Sequence, residues 1–154
     1  MNRLIAVLIL QCLTVTAVEA CEGARHLVHP SRGEVSGHFG YRSNPVLGVV
    51  RLHTGVDYDG LRGAPVRASG SGKVVAAGRE GGYGNYIRID HGNGLQTAYA
   101  HLQKIRVKPG RCVSKGQVIG TIGSSGIASG VHLHFEVIQH ERFANPERML
   151  PDRG

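Results

Sequence analysis

The sequence predicts a small all-β domain built from short strands and tight turns. Three observations indicate this class: 23 of the 154 residues are glycine, tryptophan is absent, and several segments alternate between polar and apolar side chains. Alternation with a period of two is typical of a half-buried strand, and glycine-rich breaks between such segments are typical of turns. A chain of this length has room for one domain with one core.

The first twenty residues are expected to be a secretory signal peptide rather than part of the fold. A short basic start is followed by a mostly apolar run from Leu4 to Val18, which is too short for a membrane span. Ala20 supplies a small residue before the expected cleavage point. The prediction is therefore an exported protein of the periplasm or cell envelope, with no membrane span after signal removal. Its parts are a signal peptide over 1–20, a tail over 21–33 and a domain over 34–151.

Two cysteines remain after such cleavage, and their state has two alternatives. In an oxidising compartment Cys21 and Cys112 can form a disulfide that ties the tail to the domain. Lipid attachment at Cys21 is the alternative, and it would leave Cys112 as a lone thiol. Val18 and Glu19 fit a lipoprotein signal poorly, which favours the disulfide.

The charge of the chain bears on its partners. Loss of residues 1–20 removes one positive and one negative charge, so the exported form keeps the net charge of +7. There is no long basic run and no nucleic-acid-binding motif, so no nucleic-acid partner is expected. A solvated surface explains the charge, and attraction to an anionic polymer such as the cell wall is the functional alternative.

Strand and turn signals continue along the rest of the chain. A loop is predicted over 43–51, a hairpin turn at Asn93-Gly94, and a glycine- and serine-rich loop over 124–130 that forms one wall of a groove. A short final helix is predicted near Pro146, because proline suits the first helical position. Strands are predicted in segments 34–42, 64–68, 72–78, 85–90, 95–102, 118–123 and 132–137.

The last of these strands carries reactive side chains. Residues two apart in a strand share a face, so His132, His134 and Glu136 lie together while Leu133 and its alternate neighbours point into the core. Taken alone, a His-x-His pair is better explained as an incidental part of a polar strand face.

Two other segments change that interpretation. One places His53 and Asp57 four residues apart, which is again one face of an extended chain, and the other ends a strand with His101. Nitrogen and carboxylate ligands without thiolate, and with one position open, are typical of a catalytic zinc site.

Together these segments resemble the lysostaphin-type zinc endopeptidases of bacterial cell walls. The match runs from about Glu34 to Pro151, and the matching motifs stand in family order. They are Phe39–Arg42, His53–Asp57, Ala64–Ala68, Gly82–Asn85, Ile89–His91, Tyr99–Leu102, Gly116–Gly120 and Gly130–Val137. The resemblance implies an antiparallel or mixed sheet in a partly barrel-like domain with a groove and little helix. It also implies hydrolysis of the peptide cross-links of peptidoglycan.

The resemblance assigns roles to five residues. His53, Asp57 and His134 match the ligands of one zinc ion. His101 and His132 match two catalytic histidines that stand beside the metal and assist attack by a zinc-activated water. Where many relatives have proline the chain has a valine at position 131, and no separate wall-binding module is expected.

The remaining polar residues have two interpretations each. Arg42 is expected either to bind a substrate carboxylate or to form a structural ion pair. Glu136 is expected either to orient an imidazole ligand or to pair with a nearby lysine or arginine. His26 and His29 are expected to be surface residues, and surface or structural roles are predicted for the remaining histidines, which are His38, His91 and His140.

Two rival functions remain. Related domains that have lost ligands bind peptidoglycan and activate a wall amidase, but this chain keeps the full ligand set. A structural zinc domain needs four protein ligands, which Asp57 and three histidines can supply. A wall amidase or a regulatory protein is therefore retained as a partner to test.

Overall fold

Antiparallel β-strands account for nearly all the regular structure of the residues that the structure describes. The computed structural model describes residues 21, 23–24, 26–43 and 48–152, so the predicted signal peptide lies outside the described residues. The strands within these ranges are β1 Val35–Gly37, β2 Gly40–Ser43, β3 Val50–His53, β4 Val56–Asp59, β5 Pro65–Arg67, β6 Gly72–Glu80, β7 Gly84–Asp90, β8 Leu95–Leu102, β9 Lys104–Ile105, β10 Cys112–Val113, β11 Val118–Thr121, β12 His132–Gln139 and β13 Arg142–Ala144. Two short 3₁₀ helices span Gly81–Tyr83 and Pro146–Arg148.

Eight strands form the main sheet, in the order β1-β4-β12-β8-β7-β6-β10, with β13 paired to the end of β12. Strand β12 lies between β4 and β8, and its residues His134 and Phe135 pair with a neighbouring strand on both sides. The hairpin between β7 and β8 turns at Asn93 and Gly94, both at positive φ, a conformation that asparagine and glycine tolerate. Two smaller sheets, β5-β11-β9 and β2-β3, complete the architecture.

The main core lies between the large sheet and the three-stranded sheet. Leu133, Phe135 and Val137 alternate inward from β12 and are fully buried, and they join Ile119 of β11 and Ile122, which directly follows β11, in one cluster. Full burial of such a side chain contributes about 1.5–3 kcal/mol. The alternation that secures β12 in the core also fixes which of its residues occupy the opposite face.

The all-β prediction is confirmed, and within the described ranges the sheets do not close into a barrel. Strands β7 and β8 coincide with the predicted segments 85–90 and 95–102 to within a residue. The predicted final helix is a 3₁₀ turn with Pro146 near its start and the Asn145 side chain capping it. The loop predicted over 43–51 is wrong at both ends, because Ser43 ends β2 and Val50 and Arg51 begin β3. The first three residues of β3 are exposed, so the segment lacks the alternation that identifies a strand.

The predicted N-terminal tail is packed against the domain. Leu27 is buried in the core, and the Val28 amide donates to the Ser69 carbonyl over 2.8 Å. Cys21 and Cys112 form a disulfide with a Cα–Cα distance of 5.2 Å, and Cys112 lies on the edge strand β10. The disulfide uses the sulfur that lipid attachment would require.

His29 differs from its expected surface position, and His91 takes the structural one of its two predicted roles. His29 is half-buried: its Nε2–H donates to the Pro151 carbonyl, so Nδ1 accepts from the Tyr58 hydroxyl at 2.9 Å. His91 is almost fully buried, with ring nitrogens 2.8 Å from the Ser71 carbonyl and 2.7 Å from the Thr97 hydroxyl. Both therefore take structural roles.

In the part of the chain that the structure describes, no helix has the length and apolar character that a membrane crossing requires.

Candidate metal centre

Three strands bring two imidazoles and a carboxylate to one point. His134 on β12 lies directly opposite Asp57 on β4 in the antiparallel register, so their side chains share a face. His53 ends β3 and reaches the same point across a connection that passes tightly over β12. That connection includes Gly55, where a Cβ would collide with the Phe135 carbonyl. Glycine therefore permits the close approach that places His53.

The three ligand atoms are nearly equidistant. His53 Nε2 lies 3.0 Å from Asp57 Oδ1 and 3.0 Å from His134 Nδ1, and His134 Nδ1 lies 2.9 Å from Asp57 Oδ1. Ligands about 2.0 Å from a tetrahedral zinc ion would be roughly 3.3 Å apart. The cluster therefore needs to open by only a few tenths of an ångström. Two nitrogens and one carboxylate oxygen are a ligand set that fits zinc.

Each ligand is held from behind by a hydrogen bond. His53 donates its Nδ1–H to the His38 carbonyl over 2.7 Å, and His134 donates its Nε2–H to Glu136 Oε1 over 3.1 Å. These bonds assign the tautomers that leave Nε2 of His53 and Nδ1 of His134 free for a metal. The guanidinium of Arg42 donates to the second oxygen of Asp57 over 2.6 Å.

Arg42 and Glu136 thus contact the ligands themselves. For Arg42 this contact favours the ion-pair interpretation over binding of a substrate carboxylate. For Glu136 it favours orientation of an imidazole. The carboxylate is almost fully buried, and the same oxygen also accepts from the Thr54 hydroxyl at 2.5 Å and the Tyr83 hydroxyl at 2.8 Å.

Opposite charges outweigh burial in setting the pKa values of these groups. Burial raises the pKa of Asp57, but hydrogen bonds from His134 and His53 hold it well below its usual range. Burial lowers the pKa of His134, yet the carboxylates of Asp57 and Glu136 raise it above its ordinary value. Without a metal, His134 therefore holds a proton that a metal ion would displace.

Two further imidazoles stand beside the cluster. The rings of His101 and His132 are 4.8 Å apart, and His132 Nε2 lies 3.7 Å from Asp57 Oδ1. His101 donates its Nδ1–H to the Ser125 carbonyl over 2.8 Å, and His132 donates to the Gly130 carbonyl over 3.1 Å. In both rings Nε2 is then the acceptor. Burial lowers the pKa of His101 to about 4, so this ring is neutral at physiological pH.

His101, one of the two imidazoles beside the cluster, has a strained backbone conformation. Its φ is +58°, in the left-handed region that few non-glycine residues adopt. The Ser125 amide donates to the His101 carbonyl over 3.4 Å, while the Ser125 carbonyl accepts from the ring. One loop residue therefore holds both the backbone and the imidazole.

An open cleft of about 360 Å³ exposes the cluster to solvent. Residues 127–129 of the glycine- and serine-rich loop form one wall, as the sequence predicts, and residues 51–54 form another. All five residues assigned by the resemblance line this cleft.

Thr54 and Tyr83 were not identified from the sequence. Both hold Glu136, and Tyr83 also lines the cleft with its ring 5.9 Å from that of His134. Tyr83 lies in one of the matching motifs and Thr54 in another, so their positions were a usable signal. A hydroxyl group alone does not indicate that a side chain will bind a buried carboxylate.

Comparison with known proteins identifies similar chains. Residues 51–146 match peptidase family M23. The DD-carboxypeptidase/endopeptidase Mpg of Neisseria meningitidis is 47% identical over 112 residues, which are 73% of this chain and 26% of that protein.

Solved structures show the same likeness. A zinc-containing peptidase from Vibrio cholerae has a TM-score of 0.75 and 36% identity, covering 85% of this chain and 41% of that one. The catalytic domain of the antimicrobial peptidase lysostaphin from Staphylococcus simulans has a TM-score of 0.69 and 34% identity, and the match covers 75% of this chain and 90% of that one. The chain spans about a quarter of the length of the curated relatives it matches, several of which are named peptidoglycan DD-endopeptidases.

Proposed function

This chain belongs to peptidase family M23, and we propose that it is an exported endopeptidase that hydrolyses the peptide cross-links of peptidoglycan. Membership confirms the resemblance expected from the sequence, and with it the metallopeptidase class and the zinc cofactor. The observation that carries the proposal is the convergence of His53, Asp57 and His134 at an open cleft, with two more imidazoles beside them.

The substrate and the location rest on separate support. Relatives named peptidoglycan DD-endopeptidases favour a cross-link between D-amino acids. The apolar run over residues 4–18 and the disulfide between Cys21 and Cys112 favour export to an oxidising compartment. The net charge of +7 favours attraction to an anionic wall polymer.

The metal and its ligands supply one part of the mechanism. When bound, zinc polarises a carbonyl group and lowers the pKa of a water molecule towards about 7. His53, Asp57 and His134 would hold it, with Arg42 and Glu136 fixing the orientation of the ligands.

The two free imidazoles supply the proton transfers. His101 and His132 each present an acceptor Nε2, because a backbone carbonyl binds the other nitrogen. One of them accepts a proton from the attacking water and later gives it to the amine that leaves as the C–N bond breaks. The other, when protonated, stabilises the negative charge that develops on the carbonyl oxygen. Water is consumed, and a carboxylate and an amine form.

The rival functions make different demands on these residues. A binding module that activates an amidase has no need of a complete ligand set or of two poised imidazoles. A closed structural site needs four ligands, whereas three converge among the described residues and His132 Nε2 remains 3.7 Å from the nearest carboxylate oxygen.

Digestion of a purified cross-linked muropeptide dimer tests the proposal. The zinc-loaded protein is expected to release monomers, and mass spectrometry of the products identifies the bond cut. Stoichiometric zinc binding with no released product would overturn the proposal, and co-purification with a wall amidase would then favour the activator function.

Variants separate the two groups of histidines. His134→Ala is expected to lose both zinc and activity. His101→Ala and His132→Ala are expected to keep stoichiometric zinc and lose kcat by roughly 10²–10⁴-fold, the contribution typical of general acid–base catalysis. Full activity of both imidazole variants would contradict the proton-transfer roles.

A further inference from the structure

Two arginines face each other on the β2–β3 hairpin. Arg42 on β2 and Arg51 on β3 are direct partners in the antiparallel register. Directly opposite residues project to the same face of a strand pair, and like charges in that arrangement destabilise it. Both arginines line the cleft of the metal centre.

Within the described part of the chain, only one of these two charges is neutralised. Arg42 is bonded to Asp57 at 2.6 Å and is partly buried. Arg51 is exposed, and among the described residues it has no hydrogen bond or ion pair. Its guanidinium therefore remains available to a ligand in the cleft, and a bound anion would relieve the repulsion from Arg42.

The charge balance of the cleft favours such an anion. Among the described residues, Asp57 is the only acidic one that lines it, against the two arginines. Its carboxylate is already engaged by Arg42, His53 and His134. A bound divalent metal makes the cleft more positive still. A cleft lined with one sign of charge concentrates ligands of the opposite sign.

We infer that Arg51 binds a free carboxylate of the peptide substrate and makes the site selective for acidic peptides. A guanidinium pairs with a carboxylate through two parallel hydrogen bonds, so it fixes the orientation of the ligand as well as attracting it. Arg51 lies two residues before the metal ligand His53 on the same strand, so the carboxylate would bind close to the scissile amide. The inference rests on the proposed function and names its substrate class.

Neighbouring residues fit a peptide in this position. Leu52 follows Arg51 along the chain, and both Leu52 and Ile127 line the cleft. Both are large apolar side chains that are about half exposed, at 40% and 54%. They offer apolar contact to the body of a peptide whose carboxylate is held by Arg51.

The test uses two synthetic cross-linked peptide dimers that differ in one group. One carries a free carboxylate beside the scissile amide, and the other carries a carboxamide there. Cleavage kinetics and equilibrium binding, by fluorescence anisotropy of the labelled dimers, are measured for the zinc-loaded wild type, Arg51→Gln, Arg51→Lys and the exposed control Arg62→Gln, which lies outside the cleft.

Selectivity is the expected signature. The wild type and Arg62→Gln are expected to bind the carboxylate form roughly 10-fold more tightly than the amide, the lower end for a hydrogen bond between charged groups at an exposed site. Arg51→Gln is expected to lose this preference through a higher KM with kcat nearly unchanged, and Arg51→Lys to keep part of it.

The outcomes distinguish the two proposals. Equal loss on both dimers in Arg51→Gln, or no preference in the wild type, would overturn the carboxylate site while leaving the peptidase intact. Arg51-dependent binding of the carboxylate form without cleavage of either dimer would support the site and reject the proposed peptidase activity.

Discussion

Replacement of Glu136 by glutamine tests how the metal ligands are held. The change removes the negative charge of the carboxylate whose Oε1 accepts the Nε2–H of His134, but it keeps the shape of the side chain. An amide oxygen still accepts hydrogen bonds from Thr54 and Tyr83, so the packing around the site is preserved. We expect the Glu136→Gln protein to fold and to bind zinc more weakly.

The expected loss of zinc affinity follows from the weakened hydrogen bond between His134 and residue 136. A hydrogen bond to a charged group contributes about 1.5–3 kcal/mol. Each 1.4 kcal/mol corresponds to a tenfold change in an equilibrium constant, so the zinc dissociation constant should rise roughly 10- to 100-fold. Loss of a group that orients a metal ligand has the same typical size.

Competition with a chromophoric chelator at pH 7 measures this constant. Glu80→Gln is the matched control, because Glu80 is exposed at the end of β6 and is expected to leave zinc affinity unchanged. Tyr83→Phe removes one of the three bonds to Glu136 and should have a smaller effect. A folded Glu136→Gln protein with wild-type zinc affinity would refute the role assigned to this carboxylate.

Three further predictions concern stability. Burial lowers the pKa of His91 in the folded state, so the unfolded state binds a proton more readily. The contribution of His91 to the free energy of unfolding is therefore fully present above pH about 6.5 and is lost as the pH falls below that value. The urea midpoint of His91→Gln should therefore depend less on pH between 7.5 and 5 than that of the exposed control His26→Gln, and an equal dependence would contradict this. The disulfide between Cys21 and Cys112 closes a separation of 91 residues, so Cys112→Ser should lower the free energy of unfolding by roughly 2–5 kcal/mol. Intact mass after alkylation of the unreduced wild-type protein checks the bond, and labelling of its cysteines without reduction would disprove it. Leu133→Ala should cost about 2–5 kcal/mol in denaturant unfolding, because the side chain is fully buried, and a cost below 1 kcal/mol would contradict its place in the core.

The sequence was most informative where a strand has one apolar and one polar face. Strand β12 is such a case, since its alternation predicted both the buried residues and the shared face of His134 and Glu136. The exposed strand β3 has no buried face at its start, so its pairing with β2 could not be predicted. That pairing nevertheless decides the environment of Arg51.

The site shows the same division. Ligand chemistry and family motifs predicted His53 and Asp57 as metal ligands, because zinc restricts which residues can serve, and the structure brings both into a cluster that could hold a metal ion. The partners of those ligands could not be predicted, because any hydroxyl or cation within reach can stabilise a carboxylate. Arg42 reaches the ligand Asp57, and Thr54 reaches Glu136 behind the ligand His134, only through the register of strands and the path of a tight connection.

The claim that this chain is a zinc-dependent peptidase is tested most directly by a zinc titration. Zinc is added stepwise to the metal-free protein, and cleavage of a cross-linked muropeptide dimer is followed at each step. The initial rate should rise with added zinc, reach its maximum at one equivalent per chain, and stay at background in His134→Ala. Cleavage by the metal-free protein, or one equivalent of bound zinc with no cleavage at all, would contradict the account of a zinc-dependent peptidase.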